Sequence, residues 1–233
     1  MIELVDCPLC GSDETGRDIR VGDYGLGECC ECGANYAFVR EEFEGMVKLQ
    51  EGYVPSSFLK TEPHPFAQRI IESHNDLQEI EKYVKPGRLF DVCCGSGAFI
   101  GSAINRGWDA CGNDLSLNCK LLAFHRWGVE MLHSNLEDIT FEEGSVDVFT
   151  LFNAVEHLYH PQEDIATIRR ALKPDGIVYI KTPCFTWEDL EKDAQLPHHV
   201  VNYNEDTMGL LLCDFDVVDI EVKDKTMTAI GRY

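Results

Sequence analysis

Positive charge is scarce in this sequence of 233 residues, which has 20 lysines and arginines against 41 aspartates and glutamates. The formal net charge of −21 repels the phosphate backbone that dominates nucleic-acid affinity. Long apolar runs are also missing, since none approaches the ~20 residues that a membrane-spanning helix requires. The first ten residues, MIELVDCPLC, lack the basic and apolar regions of a secretory signal. We therefore expect a cytoplasmic protein that acts neither on nucleic acid nor in a membrane.

Cysteine, by contrast, is plentiful, with eleven in the chain, and four of these form two C-x2-C pairs that are each followed by glycine. The pairs are Cys7 with Cys10 and Cys29 with Cys32. Four thiolates can close a tetrahedral shell around zinc, and the glycine allows the sharp turn that aims backbone N–H groups at sulfur. Two unrelated pairs of reduced cysteines are the alternative. Because four protein ligands leave no open position, the spacing predicts a zinc ribbon whose metal is structural.

The remainder of the chain alternates strand-like and helix-like segments. Buried strands are predicted at 88–93, 109–114, 129–133, 145–152 and 177–182. Such alternation implies right-handed crossovers and a parallel sheet, whereas the last two segments are joined too closely for a crossover and predict an antiparallel hairpin. We predict an α/β fold with a Rossmann-like, mostly parallel seven-stranded sheet and a C-terminal antiparallel hairpin. The predicted domains are a zinc ribbon at 1–40, a linker at 41–64 and the α/β domain at 65–233.

A glycine-containing turn, DVCCGSG at 91–97, follows the first of these strands. Gly95 and Gly97 permit a tight turn and a close approach of the backbone to a ligand, and the helix N-terminus offers N–H groups to a carboxylate. Asp114 ends the next strand, 23 residues after Asp91, where a carboxylate can accept both hydroxyls of a ribose. A plain strand-to-helix turn with a solvent-facing aspartate is the alternative. The combination predicts a nucleoside-binding site.

The kind of nucleoside is indicated by Ile100. A dinucleotide fingerprint has a third glycine or an alanine at this position. A β-branched side chain there blocks the close approach of helix and strand that a pyrophosphate site uses. An NAD-dependent oxidoreductase is therefore disfavoured.

At these residues the sequence resembles the class I S-adenosylmethionine-dependent methyltransferases, whose first motif runs acid-x-Gly-x-Gly-x-Gly. This sequence departs from the motif at one position, where Cys93 stands in place of the first glycine. The resemblance continues in the family's order from residue 88 to about 183, through motifs at 113–116, 135–138 and 171–176. It assigns the methionine moiety to Asp91, Gly95 and Gly97, the ribose to Asp114, and the adenine to Leu136 and Glu137. The other cofactor-binding candidates within these motifs are Cys93, Leu115, Asn135 and Asn153.

Glu156 and His157 follow the fourth strand, at the edge where ligands of open α/β sheets bind. They can deprotonate an acceptor hydroxyl or amine, and capping of the following helix is the alternative. The pair resembles the ubiquinone-type O-methyltransferases, some of which hold a divalent metal with a further carboxylate at the position of Asn153. In the resembling family a histidine on the loop after strand five lies near the substrate pocket, which makes His199 a third catalytic candidate.

These features together predict methyl transfer from S-adenosylmethionine to an O, N or C nucleophile of a small-molecule acceptor. The alternatives are a non-catalytic S-adenosylmethionine-binding module that recruits a protein partner through the ribbon and, after it, an NAD-dependent oxidoreductase. The segment between the two cysteine pairs is acidic, which favours a stabilising or partner-docking role of the ribbon over nucleic-acid binding.

Overall fold

The computed structural model describes residues 1–51 and 64–233. The strands are β1 (Ile2–Leu4), β2 (Thr15–Val21), β3 (Tyr24–Cys29), β4 (Asn35–Glu41), β5 (Arg88–Val92), β6 (Asp109–Asp114), β7 (Leu132–His133), β8 (Val146–Phe152), β9 (Leu172–Pro183), β10 (Val201–Asn202), β11 (Asp216–Lys223) and β12 (Thr226–Arg232). The α-helices are α1 (Phe43–Glu51), α2 (His64–Ile80), α3 (Ala98–Asn105), α4 (Leu117–Trp127), α5 (Pro161–Ala171), α6 (Trp187–Lys192) and α7 (Glu205–Leu211), and a 3-10 turn spans Val155–His157.

The larger sheet has seven strands in the order β11-β12-β9-β8-β5-β6-β7. Strand β5 pairs in parallel with β6 and β8, and β6 pairs in parallel with β7. Strands β11 and β12 form an antiparallel hairpin. Four of the five residues of β5 are buried, as expected for a central strand with both faces covered. The predicted α/β fold with its C-terminal hairpin is confirmed.

One predicted strand is wrong in its extent. Of the segment 129–133, only Leu132 and His133 pair with β6. Val129 and Met131 lie instead in a buried cluster with Ile100, in the core that α3 and α4 share. An apolar run of this length does not distinguish a strand from a connection that packs into the core.

The smaller sheet lies near the N-terminus, and its described strand pairs are antiparallel. Its order is β1-β4-β3-β2, and β10 also pairs with β4. Strand β10 comes from a part of the chain far from the other four in sequence. The small sheet therefore combines the N-terminal cysteine-containing segment with a segment of the predicted 65–233 domain.

The described chain divides into two compact units. The first, the ribbon unit, comprises Met1–Met46, Asn153–Ala166 and Ile180–Arg232, and the second, the parallel-sheet unit, comprises Val47–Phe152, Thr167–Tyr179 and Tyr233. Helix α1 occupies the start of the predicted linker at 41–64, and residues 52–63 of that linker lie outside the described residues. The three predicted domain ranges stay a prediction. Among the described helices, none has the length and apolar character needed to cross a membrane.

Candidate active site

The glycine-containing turn between β5 and α3 adopts an unusual backbone. Cys93, Gly95 and Gly97 have φ values of +53°, +54° and +70°. This left-handed region is open to glycine and costs a residue with a Cβ free energy. Cys93 therefore adopts a conformation that glycine favours, at the position where the methyltransferase motif has its first glycine.

Two glycines allow backbone segments to approach each other closely around this turn. A Cβ on Gly97 would lie 2.7 Å from the Cβ of Ala123 in α4. A Cβ on Gly112 would lie 2.4 Å from the carbonyl oxygen of Asp91 and 2.9 Å from Cδ1 of Ile100. Gly112 thus provides the space that the side chain of Ile100 fills. Gly112 is not among the predicted site residues, although a glycine inside a predicted strand is itself a signal of close backbone approach.

Asp114 ends β6 beside the turn and supports it directly. Its Oδ2 accepts a hydrogen bond of 2.9 Å from the backbone N–H of Gly95, and its Oδ1 accepts one of 2.8 Å from the N–H of Ser116. A carboxylate offers about four acceptor positions, so these bonds are compatible with further bonds to ribose hydroxyls. The side chain is half-buried. The role predicted for Asp114 from the sequence is a ligand contact, and its hydrogen bond to Gly95 is an additional, structural role.

Asp91 is a buried carboxyl at the end of β5, with 2% of its surface exposed. The Thr150 hydroxyl donates a hydrogen bond of 2.6 Å to its Oδ1. Desolvation raises the pKa of Asp91 to about 7, and the hydrogen bond from Thr150 opposes this rise. A nearby cation would favour the ionised carboxylate again. Asp91 is thus suited to respond to a positively charged ligand group.

The loop that follows β7 carries the candidate adenine contacts. Leu136 is buried, Asn135 and Leu115 are half-buried, and Glu137 is exposed. The side-chain amide of Asn113 donates a hydrogen bond of 3.0 Å to the carbonyl of Ser134, directly before Asn135. The end of β6 is thereby tied to this loop.

In the ribbon unit, Glu156, His157 and His199 come together, with one nitrogen or oxygen atom of each within 4.8 Å of the others. Nδ1 of His157 lies 2.7 Å from the carbonyl oxygen of His198. Because a carbonyl only accepts, Nδ1 carries a proton, and Nε2 is the ring nitrogen through which His157 can accept or release a second one. Asn153, which begins this segment, is exposed and has a φ of +49°.

Glu156 is the most buried member of this cluster, with 1% of its surface exposed. Its Oε2 accepts a hydrogen bond of 2.9 Å from the hydroxyl of Thr182, whereas Oε1 has no hydrogen-bond partner among the described residues. Burial raises the pKa of the Glu156 carboxyl, and the charge of His157 opposes this rise. A buried oxygen without a partner is costly in a folded protein and is often found at functional sites.

His199 is also buried, and its ring lies 5.1 Å from that of His157 in an edge-to-face arrangement. Its Nδ1 is 3.4 Å from Oδ1 of Asn202. Burial, followed by the charge of His157, lowers the pKa of His199 to about 4. The imidazole is therefore neutral at pH 7 and can accept a proton. The cluster combines histidine side chains with a buried carboxyl, which is a set of groups suited to acid–base chemistry.

The four cysteines of the predicted ribbon converge as well. Sγ of Cys7 lies 3.6 Å from Sγ of Cys32, Sγ of Cys10 lies 3.5 Å from Sγ of Cys29, and all four sulfurs are within 4.8 Å of one another. Zn–S bonds of about 2.3 Å in a tetrahedron place sulfurs ~3.8 Å apart. The donor set and its spacing fit zinc, and the neighbouring Cys30 is exposed.

Comparison with known proteins identifies a methyltransferase domain at residues 67–211. A probable S-adenosylmethionine-dependent methyltransferase of Mycobacterium tuberculosis is 29% identical over 93 residues, which are 40% of this chain and 34% of the relative. The match thus spans about a third of the length of that curated relative.

Solved structures share the fold at low sequence identity. The PH0226 protein of Pyrococcus horikoshii superposes with a TM-score of 0.59 at 17% identity, covering 74% of this chain and 92% of that protein. A methyltransferase solved in complex with the Haloferax volcanii Trm112 methyltransferase activator gives a TM-score of 0.59 at 14% identity, covering 73% and 94%.

Proposed function

The chain belongs to the family defined by this methyltransferase domain, and from that premise we propose that it transfers a methyl group from S-adenosylmethionine to an O, N or C nucleophile of a small-molecule acceptor. The observation that carries the proposal is the left-handed turn at 93–97, whose Gly95 N–H is bonded to Asp114 at the end of the next strand. This is the arrangement that a nucleoside with a carboxylate tail requires.

The residues divide into cofactor-binding and acceptor-activating groups. Asp91, Gly95 and Gly97 hold the methionine moiety, Asp114 the ribose, and Leu136 with Glu137 the adenine, while Cys93, Leu115, Asn135 and Asn153 complete the proposed set. Bound S-adenosylmethionine supplies a methyl group that is already activated by the sulfonium. The protein therefore needs to align the acceptor and, for a hydroxyl, to remove its proton.

We assign proton removal to the cluster of Glu156, His157 and His199. His157 is the first candidate for the base, because its Nδ1 is engaged by the His198 carbonyl and its Nε2 is left as an acceptor. In this proposal the buried carboxyl of Glu156 orients the two histidine side chains or sets the charge of the cluster. His199 is the second candidate base.

Turnover distinguishes this proposal from a module that only binds the nucleoside. Purified protein is incubated with a metabolite extract and methyl-labelled S-adenosylmethionine, and small-molecule products are examined by mass spectrometry. We expect one labelled small-molecule product with the wild-type protein, and we expect its formation to be slowed when His157 is replaced. Label in protein or nucleic acid alone would contradict a small-molecule acceptor.

Binding of S-adenosylhomocysteine should strengthen as the pH rises. In the free protein the pKa of Asp91 is about 7, and contact with the ligand ammonium favours the carboxylate, so binding below pH 7 releases a proton. Affinity is then lost as the pH falls through 7, by roughly tenfold between pH 7 and about pH 5.5. Calorimetry at several pH values measures this slope. Asp91→Asn should flatten it, and an unchanged slope in that variant would exclude Asp91.

We also propose that Cys7, Cys10, Cys29 and Cys32 hold one structural zinc ion per chain, on the basis of the sulfur distances. Elemental analysis should find one zinc in the wild type and in Cys30→Ser, and less than one in Cys10→Ser. Because metal binding is coupled to folding in such modules, chelation should unfold the ribbon. Wild-type protein purified without chelator and found free of zinc would contradict this proposal.

Location and partners remain proposals as well. A cytoplasmic location rests on the sequence alone. A protein partner that docks on the ribbon is proposed from the acidic segment between the two cysteine pairs. The excess of acidic residues speaks against nucleic acid as a partner.

A further inference from the structure

The residue that follows His199 is held from two sides within the ribbon unit. The carbonyl of Val200 accepts a hydrogen bond of 2.8 Å from the N–H of Ala37 in β4, and the N–H of Val200 donates one of 2.7 Å to the carbonyl of Glu156. Val200 is itself buried. Val200 therefore connects the backbone of ribbon strand β4 to two members of the cluster of Glu156, His157 and His199. These members are Glu156, through a hydrogen bond, and His199, through the chain.

The pairing of β10 with β4 extends this connection to the imidazole. Val201 pairs with Tyr36, and Asn202 pairs with Asn35. Oδ1 of Asn202 lies 3.4 Å from Nδ1 of His199. Strand β4 begins three residues after Cys32, so the ladder that carries Asn202 starts directly beside a cysteine of the predicted metal site.

The metal site and β4 are joined by a short hydrogen-bonded turn. The N–H of Cys29 donates 2.8 Å to the carbonyl of Ala34, and the N–H of Gly33 donates 3.0 Å to the carbonyl of Cys29. Ala34 is fully buried. The second cysteine pair is thus hydrogen-bonded to Ala34, the residue directly before β4.

The segment before His199 packs against the smaller sheet. Leu26 of β3 is fully buried in a cluster with Leu190 and Ala194, and Phe185 packs against that cluster. The ring of Phe185 stacks on that of His199 with centroids 6.5 Å apart. Both ends of the stretch 185–202 are therefore supported by ribbon strands.

We propose that the four-cysteine ribbon is the positioning element of the cluster formed by Glu156, His157 and His199. In four-cysteine modules of this kind, metal binding is coupled to folding of the surrounding backbone. Occupation of the thiolates fixes β4, β4 fixes β10, and β10 sets the orientation of the His199 imidazole. The ribbon is thus part of the acceptor-activating machinery, an inference that rests on the proposed function.

Hydrogen exchange of the full chain tests this inference without any need for an acceptor. Zinc-loaded wild type, Cys10→Ser and the matched control Cys30→Ser are compared by mass spectrometry of their peptides. In Cys10→Ser we expect amides of residues 198–203 to exchange about tenfold faster or more, and those of 88–97 to keep the wild-type rate. Cys30→Ser should match the wild type in both regions.

Two results would overturn the inference. Exchange at 198–203 that stays at the wild-type rate after proven zinc loss would show that β4 holds its place without metal. Faster exchange at both 198–203 and 88–97 would show a general loss of stability with no specific link to the cluster.

Asn202→Ala provides a second test that leaves all four cysteines in place. In this variant the NMR resonances of the His199 ring nitrogens should shift from their wild-type positions, as they should in Cys10→Ser. The affinity of the variant for S-adenosylhomocysteine should stay within about twofold of the wild type. Unshifted His199 resonances would contradict the role of β10. A wild-type protein that does not bind S-adenosylhomocysteine would instead refute the proposed function. The hydrogen-exchange result does not depend on that binding, so the two failures can be distinguished.

Discussion

Replacing His157 by alanine should lower the rate of methyl transfer by ~10²–10⁴ and leave the affinity for S-adenosylhomocysteine close to that of the wild type. The rate should fall because Nδ1 of this side chain is bonded to a backbone carbonyl, so that Nε2 is the atom available to receive a proton. The affinity should be kept because His157 belongs to the ribbon unit, whereas the proposed nucleoside site belongs to the parallel-sheet unit. Single-turnover kinetics with the identified acceptor, at saturating cofactor, measures the effect.

His160→Ala is the matched control, because His160 lies three residues further along and is exposed. It should keep the wild-type rate. A full rate in His157→Ala would exclude His157 as the base and direct attention to His199. Burial lowers the pKa of His199 to about 4, so a His199-dependent rate would be constant above about pH 5 and fall as the pH drops through 4.

Replacing Asp114 by alanine should weaken S-adenosylmethionine and S-adenosylhomocysteine alike, because both carry the ribose. Loss of charge-assisted hydrogen bonds in a partly buried site costs ~2–3 kcal/mol, or roughly 30- to 150-fold in affinity. The bond from Gly95 N–H to Asp114 adds a second reason, since the turn loses its support together with the ribose contact. Calorimetry with both ligands measures the loss.

Asp109→Ala is the control for this experiment, because Asp109 is an exposed carboxylate at the start of the same strand. It should bind both ligands as the wild type does. An Asp114→Ala variant with wild-type affinity would show that the ribose is held elsewhere, and the assignment carried by the resemblance would have to be withdrawn.

Features with local causes were predictable from the sequence. The strand–turn–helix around Gly95 and Gly97 and the hairpin at the C-terminus follow from patterns within a few residues. The convergence of the cysteine pairs follows from the C-x2-C-Gly spacing that both pairs share. Ser116, a residue type that favours the N-cap position, likewise caps α4 locally, and its hydroxyl accepts a hydrogen bond from the N–H of Cys119.

Features with non-local causes were not predictable. Strand β10 has only two residues, and its pairing with β4 is set by the packing of chain segments that are distant in sequence. The low pKa of His199 depends on burial that this packing creates. The bond between Asp114 and Gly95 likewise requires the crossover between β5 and β6 to be closed. Sequence motifs identified the candidate residues, and tertiary structure determined their environments.

Calorimetry of the wild-type protein with S-adenosylhomocysteine and with NAD tests whether the turn at 93–97 and Asp114 form a site for S-adenosylmethionine. We expect S-adenosylhomocysteine to bind at one site per chain and NAD not to bind. Binding of NAD together with no binding of S-adenosylhomocysteine would contradict this site.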